Sequence, residues 1–167
     1  MNVSDLKTMF GYHYWANSQV WDCVLKLTDE QFTRDLPYSV GSIQRHLAHM
    51  MVVEWFWFSV VADRLPADRS QHLRVSEFPT REAIGTRWEA LQAEVFAYLD
   101  TAGEAQVNRI LEYEFSWCGK QRQPAWVLLI YTITHATDHR AQILQGIHHM
   151  GGETVPQDFV RYLWEHP

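Results

Sequence analysis

Only two cysteines, Cys23 and Cys118, occur in 167 residues, and they form no CxxC or other ligand spacing. Free buried or surface thiols are expected rather than a disulfide or a nucleophile. Basic clusters are missing as well. No run of Lys and Arg is denser than isolated pairs and the formal charge is −6, so the surface repels phosphate backbones and nucleic acid is not an expected partner. There is no long apolar tract. The longest, residues 50–62, is interrupted by Glu54 and Ser59 and falls short of the roughly 20 residues a membrane helix needs. The amino terminus, MNVSDLKTMF, lacks the basic-then-apolar build of a secretory signal. A cytoplasmic chain with no membrane association is expected. Glycine and proline are few, at 8 and 6, and no linker, repeat or low-complexity segment divides the chain. One domain over residues 1–167 follows.

Apolar side chains, by contrast, are plentiful: 47% of residues are hydrophobic and 14% aromatic, enough for a sizeable core. Ser4 is a candidate cap for a first helix reaching about Lys26, with Leu6, Met9, Phe10, Tyr14, Val20, Trp21 and Val24 on its apolar face. Thr28 and Gln31 have capping-box spacing ahead of a short helical turn that Pro37 ends. Gly41 and Ser42 open a second long helix to about Leu65, closed by Pro66 and the polar ADRSQ stretch. Thr80 caps a third, from Arg81 to about Asp100. From Val107 to Trp117 the pattern changes to alternation, with Tyr113, Phe115 and Trp117 in step, and CGKQRQ reads as a turn. A small β-hairpin or extended crossover fits. Pro124 takes a first-turn position of a fourth long helix that stops at Gly151 and Gly152, and QDFVRYLWEH adds one or two helical turns. An all-α four-helix bundle is the expected fold, with a long third connection that includes the possible hairpin.

The second helix is apolar around most of its circumference. One side packs inside the bundle, while the side bearing Trp55, Phe56, Trp57 and Phe58 needs cover from a neighbouring element or a second copy of the chain. A homodimer is the expectation drawn from it.

Nine histidines are present, and two of them carry chemistry. His135 and His139 are one helical turn apart in PAWVLLIYTITHATDHRAQILQGIHHM, separated by about 40° around the axis and roughly 6 Å along it, so both imidazoles can turn to one ion. Chance supplies about 0.4 such pairs in a chain of this composition, so the motif needs support from its surroundings. On the fourth helix Ala125, Leu129, Thr132, Ala136, Ile143, Ile147 and Met150 trace the core stripe, with the pair at its edge. His148 and His149 lie roughly 14 Å beyond His139 along the axis and are expected at the surface. The second helix offers His46 and His49 as a third ligand, and periodicity does not choose between them. His72 and His166 read as exposed, and His13 as core packing beside Tyr12, Trp15 and Asn17.

The opening YHYWANSQVW, the GSIQRHLAHMMVVEWFW helix, the THATDHRAQI helix and the terminal GGETVPQDFVRYLWE resemble, in this order and over nearly the whole chain, the DinB-like family of bacterial metal-binding bundles. The resemblance implies a metal held by one histidine of the second helix and two of the HxxxH helix, at the positions of His49, His135 and His139. His46, one turn earlier, is not the matching position. HRAQ departs from the family's frequent HRGQ at Ala141, and Tyr131 stands where many members have a further histidine. Relatives include metal-dependent transferases that couple a low-molecular-weight thiol to electrophiles, and a related bundle that isomerises its substrate with mycothiol.

Three imidazoles suit Zn²⁺ or Ni²⁺ and leave coordination positions open for water or a small-molecule substrate. Such an ion can activate water or hold a thiol as thiolate, so hydrolysis and thiol transfer both remain open. The alternatives are a non-catalytic metal-binding stress-response protein and a dimeric scaffold without metal. Asp138, Glu54, Gln142 and Tyr131 are candidates to hold the ligands' second ring nitrogens. Three of them have a plainer reading: Asp138 solvated, Glu54 paired with an arginine, Tyr131 packed. Arg140, Arg45 and Arg122 are the candidate cations for a charged thiol cofactor, with Arg140 also readable as solvated.

Overall fold

The computed structural model describes residues 1–167. Its long helices are α1 (Val3–Leu25), α3 (Ile43–Val61), α4 (Arg81–Thr101) and α6 (Ala125–His149), accompanied by the short helices α2 (Asp29–Thr33), α5 (Glu104–Asn108) and α7 (Phe159–Glu165). A two-stranded antiparallel hairpin, β1 (Ile110–Phe115) with β2 (Gly119–Pro124), fills the long connection before α6. The four long helices form the bundle and meet in one core that includes Leu6, Phe10, Ile43, Met51, Ile84, Leu91, Leu129 and Ile143. Each such buried side chain contributes about 1.5–3 kcal/mol. No helix is long and apolar enough to cross a membrane.

Local capping chemistry sets most of the helix ends. Thr28 and Gln31 exchange side-chain and backbone hydrogen bonds in a capping box, and Ser42 and Thr80 each accept from a backbone N–H three residues on. The first helix starts earlier than Ser4 because Asn2 and Asp5 make a capping box of their own. α6 ends in a Schellman motif: Gly151 turns left-handed at φ 78°, and the N–H groups of Gly151 and Gly152 reach the carbonyls of His148 and Ile147, both at 2.9 Å. α3 ends the same way, about four residues before Leu65, with the non-glycine Asp63 at φ 55° and Arg64 N–H bonded to Ser59 O at 2.8 Å.

Residues 119–124 are a strand rather than the tail of a turn, with Gln121 opposite Tyr113 and Gly119 opposite Phe115. GKQRQP has no alternation and little strand propensity of its own, so pairing with β1 makes it one. Pro124 accordingly closes β2 and caps α6 instead of sitting inside its first turn.

The hairpin also covers the aromatic side of α3. Trp57 meets Tyr113 at 5.5 Å and Phe115 at 6.0 Å between ring centroids, and Phe56 meets Phe115 at 5.2 Å. His72 from the 62–80 connection packs against Trp55 and Phe56. A neighbouring element therefore supplies the cover that the apolar circumference of α3 requires, and that face no longer argues for a second copy.

Candidate metal centre

α3 and α6 run antiparallel. That brings His49 opposite His135, His46 opposite His139, and Trp57 opposite Tyr131. The core stripe expected on α6 is buried from Ala125 to Ile147, with Met150 half-buried. Turned that way, the helix leaves His135 half-buried at the edge of the stripe and His139 only 7% exposed.

One nitrogen from each of His49, His135 and His139 falls within a group no wider than 4.8 Å. The Nε2 atoms of His49 and His135 are 3.2 Å apart. Two nitrogens bound tetrahedrally to one Zn²⁺ at about 2.0–2.1 Å stand roughly 3.3–3.4 Å apart, so this pair already has the spacing of two ligands. The set fits a borderline divalent ion chemically, because three imidazoles supply neutral nitrogen donors and no carboxylate or thiol joins the group. On α3 it is His49 that joins the group, while His46 is a partner to one of its members. His46 Nδ1 lies 2.9 Å from His139 Nδ1, which leaves the Nε2 edge of His139 for an ion and holds the ring in place.

The other expected helpers separate cleanly. Tyr131 stacks its ring obliquely on His135 at 5.7 Å and remains 42% exposed. Asp138 is exposed. Gln142 follows His139 by one turn and its Oε1 is buried without a hydrogen-bond partner. It lines a half-open cleft of about 460 Å³ with His46, Leu36, Tyr38, Gln145 and the exposed His149.

Glu54 goes elsewhere. It is 2% exposed and pairs not with an arginine but with His13 Nε2 at 3.0 Å, Trp88 Nε1 at 2.9 Å and the Tyr14 hydroxyl. Arg140, expected on the surface or near a cofactor, is 0% exposed. Its guanidinium donates to Asn17 Oδ1 at 2.9 Å, Gln157 Oε1 at 2.7 Å and Thr137 Oγ1 at 2.8 Å, and sits 3.2 Å from His13 Nδ1. A guanidinium only donates, so His13 Nδ1 accepts and its Nε2–H faces the carboxylate. His13 is therefore a neutral bridge between two buried charges. Burial is the largest influence on it and lowers its pKa. Burial pushes the Glu54 carboxyl up, but His13, Tyr14 and Trp88 outweigh it and hold Glu54 below the ordinary carboxylate value. Of the three arginines proposed from sequence for a charged cofactor, Arg140 is thus occupied, Arg122 pairs with Glu112 on the hairpin, and Arg45 pairs with Asp35 at 3.6 Å in a separate surface depression. No sequence signal singled out the His13–Glu54–Arg140 chain, because its members come from three helices.

Burial, then the neighbouring imidazoles, lower His46 and His135 to about 4. His49 is lowered by burial and then by His139, and His139 by burial despite Gln142 and Asp138. His46 and His135 are therefore neutral near pH 6, and His49 and His139 give up their protons more readily than an ordinary imidazole. Zn²⁺ affinity should therefore fall by less between pH 7.5 and pH 6 than the roughly fiftyfold that three ordinary imidazoles would lose to protons. Competition titration against a chromogenic chelator checks this. In the metal-free protein the sign is also set: folded pKa values lie below the unfolded 6.5, so stability is complete above about pH 6.5 and is lost as pH falls toward about 4.

Comparison with known proteins supplies an independent line. The DinB family model matches residues 1–167. Protein DinB of Bacillus subtilis (strain 168) is 22% identical over 160 residues, covering 93% of this chain and 92% of that protein. The crystal structure of a DinB-like protein from Bacillus cereus ATCC 10987 superposes with a TM-score of 0.63 at 14% identity, over 86% of this chain and 91% of that one. A conserved protein from Enterococcus faecalis gives a TM-score of 0.57 at 18% identity, over 87% and 95%.

Proposed function

This chain belongs to the DinB family, and we propose that it is a metal-dependent enzyme whose His49, His135 and His139 hold one divalent cation, Zn²⁺ or Ni²⁺, for thiol transfer to a small electrophile. The observation that carries this reading is the composition of the site: three imidazole nitrogens converge with no carboxylate among them. Hydrolysis by activated water is usually served by a nearby carboxylate base, and here Glu54 is committed to His13, Tyr14 and Trp88 while Asp138 is exposed. A thiol asks for less.

When bound, the ion favours the thiolate form of a coordinated thiol and needs no separate base to keep it so. The thiol proton passes to solvent; the sulfur lone pair forms the new C–S bond as the leaving group departs with its electron pair. Cys23 is buried and Cys118 is on the hairpin turn, so the thiol is a low-molecular-weight one taken from solution. The chain's own contribution is placement. His46 fixes the His139 ring, and the cleft lined by His46, Gln142 and Gln145 offers hydrogen-bonding groups that reach the metal ligands through His46.

The test loads protein purified without a histidine tag with Zn²⁺ or Ni²⁺ and follows alkylation of cysteine, glutathione and coenzyme A by iodoacetamide. At least tenfold acceleration over buffer, removed by chelator and restored by metal, is expected. Stoichiometric metal with no acceleration of any thiol would instead favour a metal-binding protein without turnover.

A further inference from the structure

The hairpin leaves one aromatic ring conspicuously in solvent. Trp117, at the turn, is 67% exposed, yet it is held: it stacks parallel on Phe115, 5.6 Å between centroids and 1° between planes, and stands edge-on to Trp57 at 5.9 Å. A second exposed ring meets the same floor. Tyr131 lies 5.6 Å from Trp57 and 5.7 Å from His135. A connected series of rings thus runs from the open hairpin tip to one of the three site histidines, by way of the buried Trp57.

We infer that Trp117 and Tyr131, resting on Trp57, form a shelf that binds a planar, electron-poor aromatic molecule and directs it to the three-histidine centre. Size selects a small ligand over a protein. Taking roughly 150–250 Å² per aromatic side chain, the exposed parts of the two rings offer roughly 200 Å², against the 800 Å² or so per partner of a stable interface. Charge selects further. Both exposed rings present electron-rich faces, which stack best on electron-poor rings, and the carboxylates of β1, Glu112 and Glu114, lie on the strand positions that alternate away from Tyr113 and Phe115. An aromatic ring able to undergo attack by a thiolate is electron-poor by necessity. The direction of the ligand toward the histidines rests on the thiol-transfer reading; the shelf itself does not.

The experiment titrates 1,3-dinitrobenzene, which is planar, electron-poor and unreactive, into the zinc-loaded and the chelator-stripped protein while following indole N–H signals by NMR. Binding in both forms is expected, with the largest shift at the Trp117 indole, assigned through Trp117→Phe. Trp117→Ala should weaken it about tenfold, Tyr131→Ala by a comparable factor, and Tyr131→Phe little. Nitrocyclohexane, of similar size but without a ring face, should bind at least about tenfold more weakly. Equal affinity for the saturated analogue, an unchanged Kd in Trp117→Ala, or a concentration-dependent dimer that protects Trp117 would each overturn the shelf. If iodoacetamide is turned over while dinitrobenzene does not bind, the shelf fails and the thiol reading stands. If dinitrobenzene binds at Trp117 and no thiol is alkylated, the thiol reading fails and the shelf stands.

Discussion

Replacing His135, His139 or His49 with Ala is expected to take bound metal from about one divalent ion per chain to none, measured by elemental analysis after dialysis against Zn²⁺ and Ni²⁺. Each replacement removes one of only three protein donors. The loss should exceed the ~10–100-fold typical of a group that merely supports a ligand. The bundle should remain folded in every case, because a continuous apolar core of the four long helices holds it together without the three rings. Metal should nevertheless raise the melting temperature of the native protein, since it binds only the folded state. His46→Ala is the informative control. Its Nδ1 touches His139 rather than the shared centre, so the variant should keep stoichiometric metal at saturation while losing ~10–100-fold in affinity. Full loss of metal in His46→Ala with retention in His49→Ala would reverse the assignment on α3.

Glu54→Ala should be among the most destabilising single changes in the chain, at about 3–5 kcal/mol by urea unfolding. Total stabilities of single domains are about 5–15 kcal/mol, so such a variant stands near its unfolding threshold. The reason is electrostatic. Glu54 is the only carboxylate in the buried cluster, and removing it leaves the fully buried Arg140 guanidinium without a counter-charge and the donors of His13, Tyr14 and Trp88 without their acceptor. Arg140→Met should cost a similar amount by stranding Glu54. The double variant Glu54→Met with Arg140→Met should be less destabilised than the sum of the two, because no unpaired charge remains. Strict additivity would mean that the two charges do not sense one another through His13. Acid acts on the same cluster. With its folded pKa held below the ordinary value, Glu54 contributes stability that is present above the unfolded carboxylate pKa and is lost as pH falls through the folded one. His13 works in the same direction at higher pH, since the unfolded chain gains its proton near 6.5 while the folded ring stays neutral.

Features written in short stretches of chain were legible before folding. The caps at Thr28, Ser42 and Thr80 and the stop at Gly151 and Gly152 each depend on residues within four positions, so a helix carries its own punctuation. The HxxxH pair is of the same kind, since one helix alone decides that His135 and His139 share a face. The acidic charge, the scarce cysteines and the broken apolar tract likewise needed no coordinates. Other features depend on which surfaces meet. His49 and His46 are three residues apart on a helix apolar almost all round, and only the antiparallel seating of α3 on α6 sends one to the shared centre and the other to His139. GKQRQP becomes a strand because β1 lies beside it, and the aromatic side of α3 is covered because that hairpin folds back onto it. Glu54, His13 and Arg140 read separately as ordinary polar residues; their partners are 41 and 127 positions away from His13, a distance over which no local periodicity carries information. The sequence by itself determined the helices, their ends and the two histidines of α6, because those follow from interactions within a turn or two. The third histidine, the buried charges and the exposed aromatic rings beside the site were decided by tertiary packing, which alone sets the direction in which each side chain points.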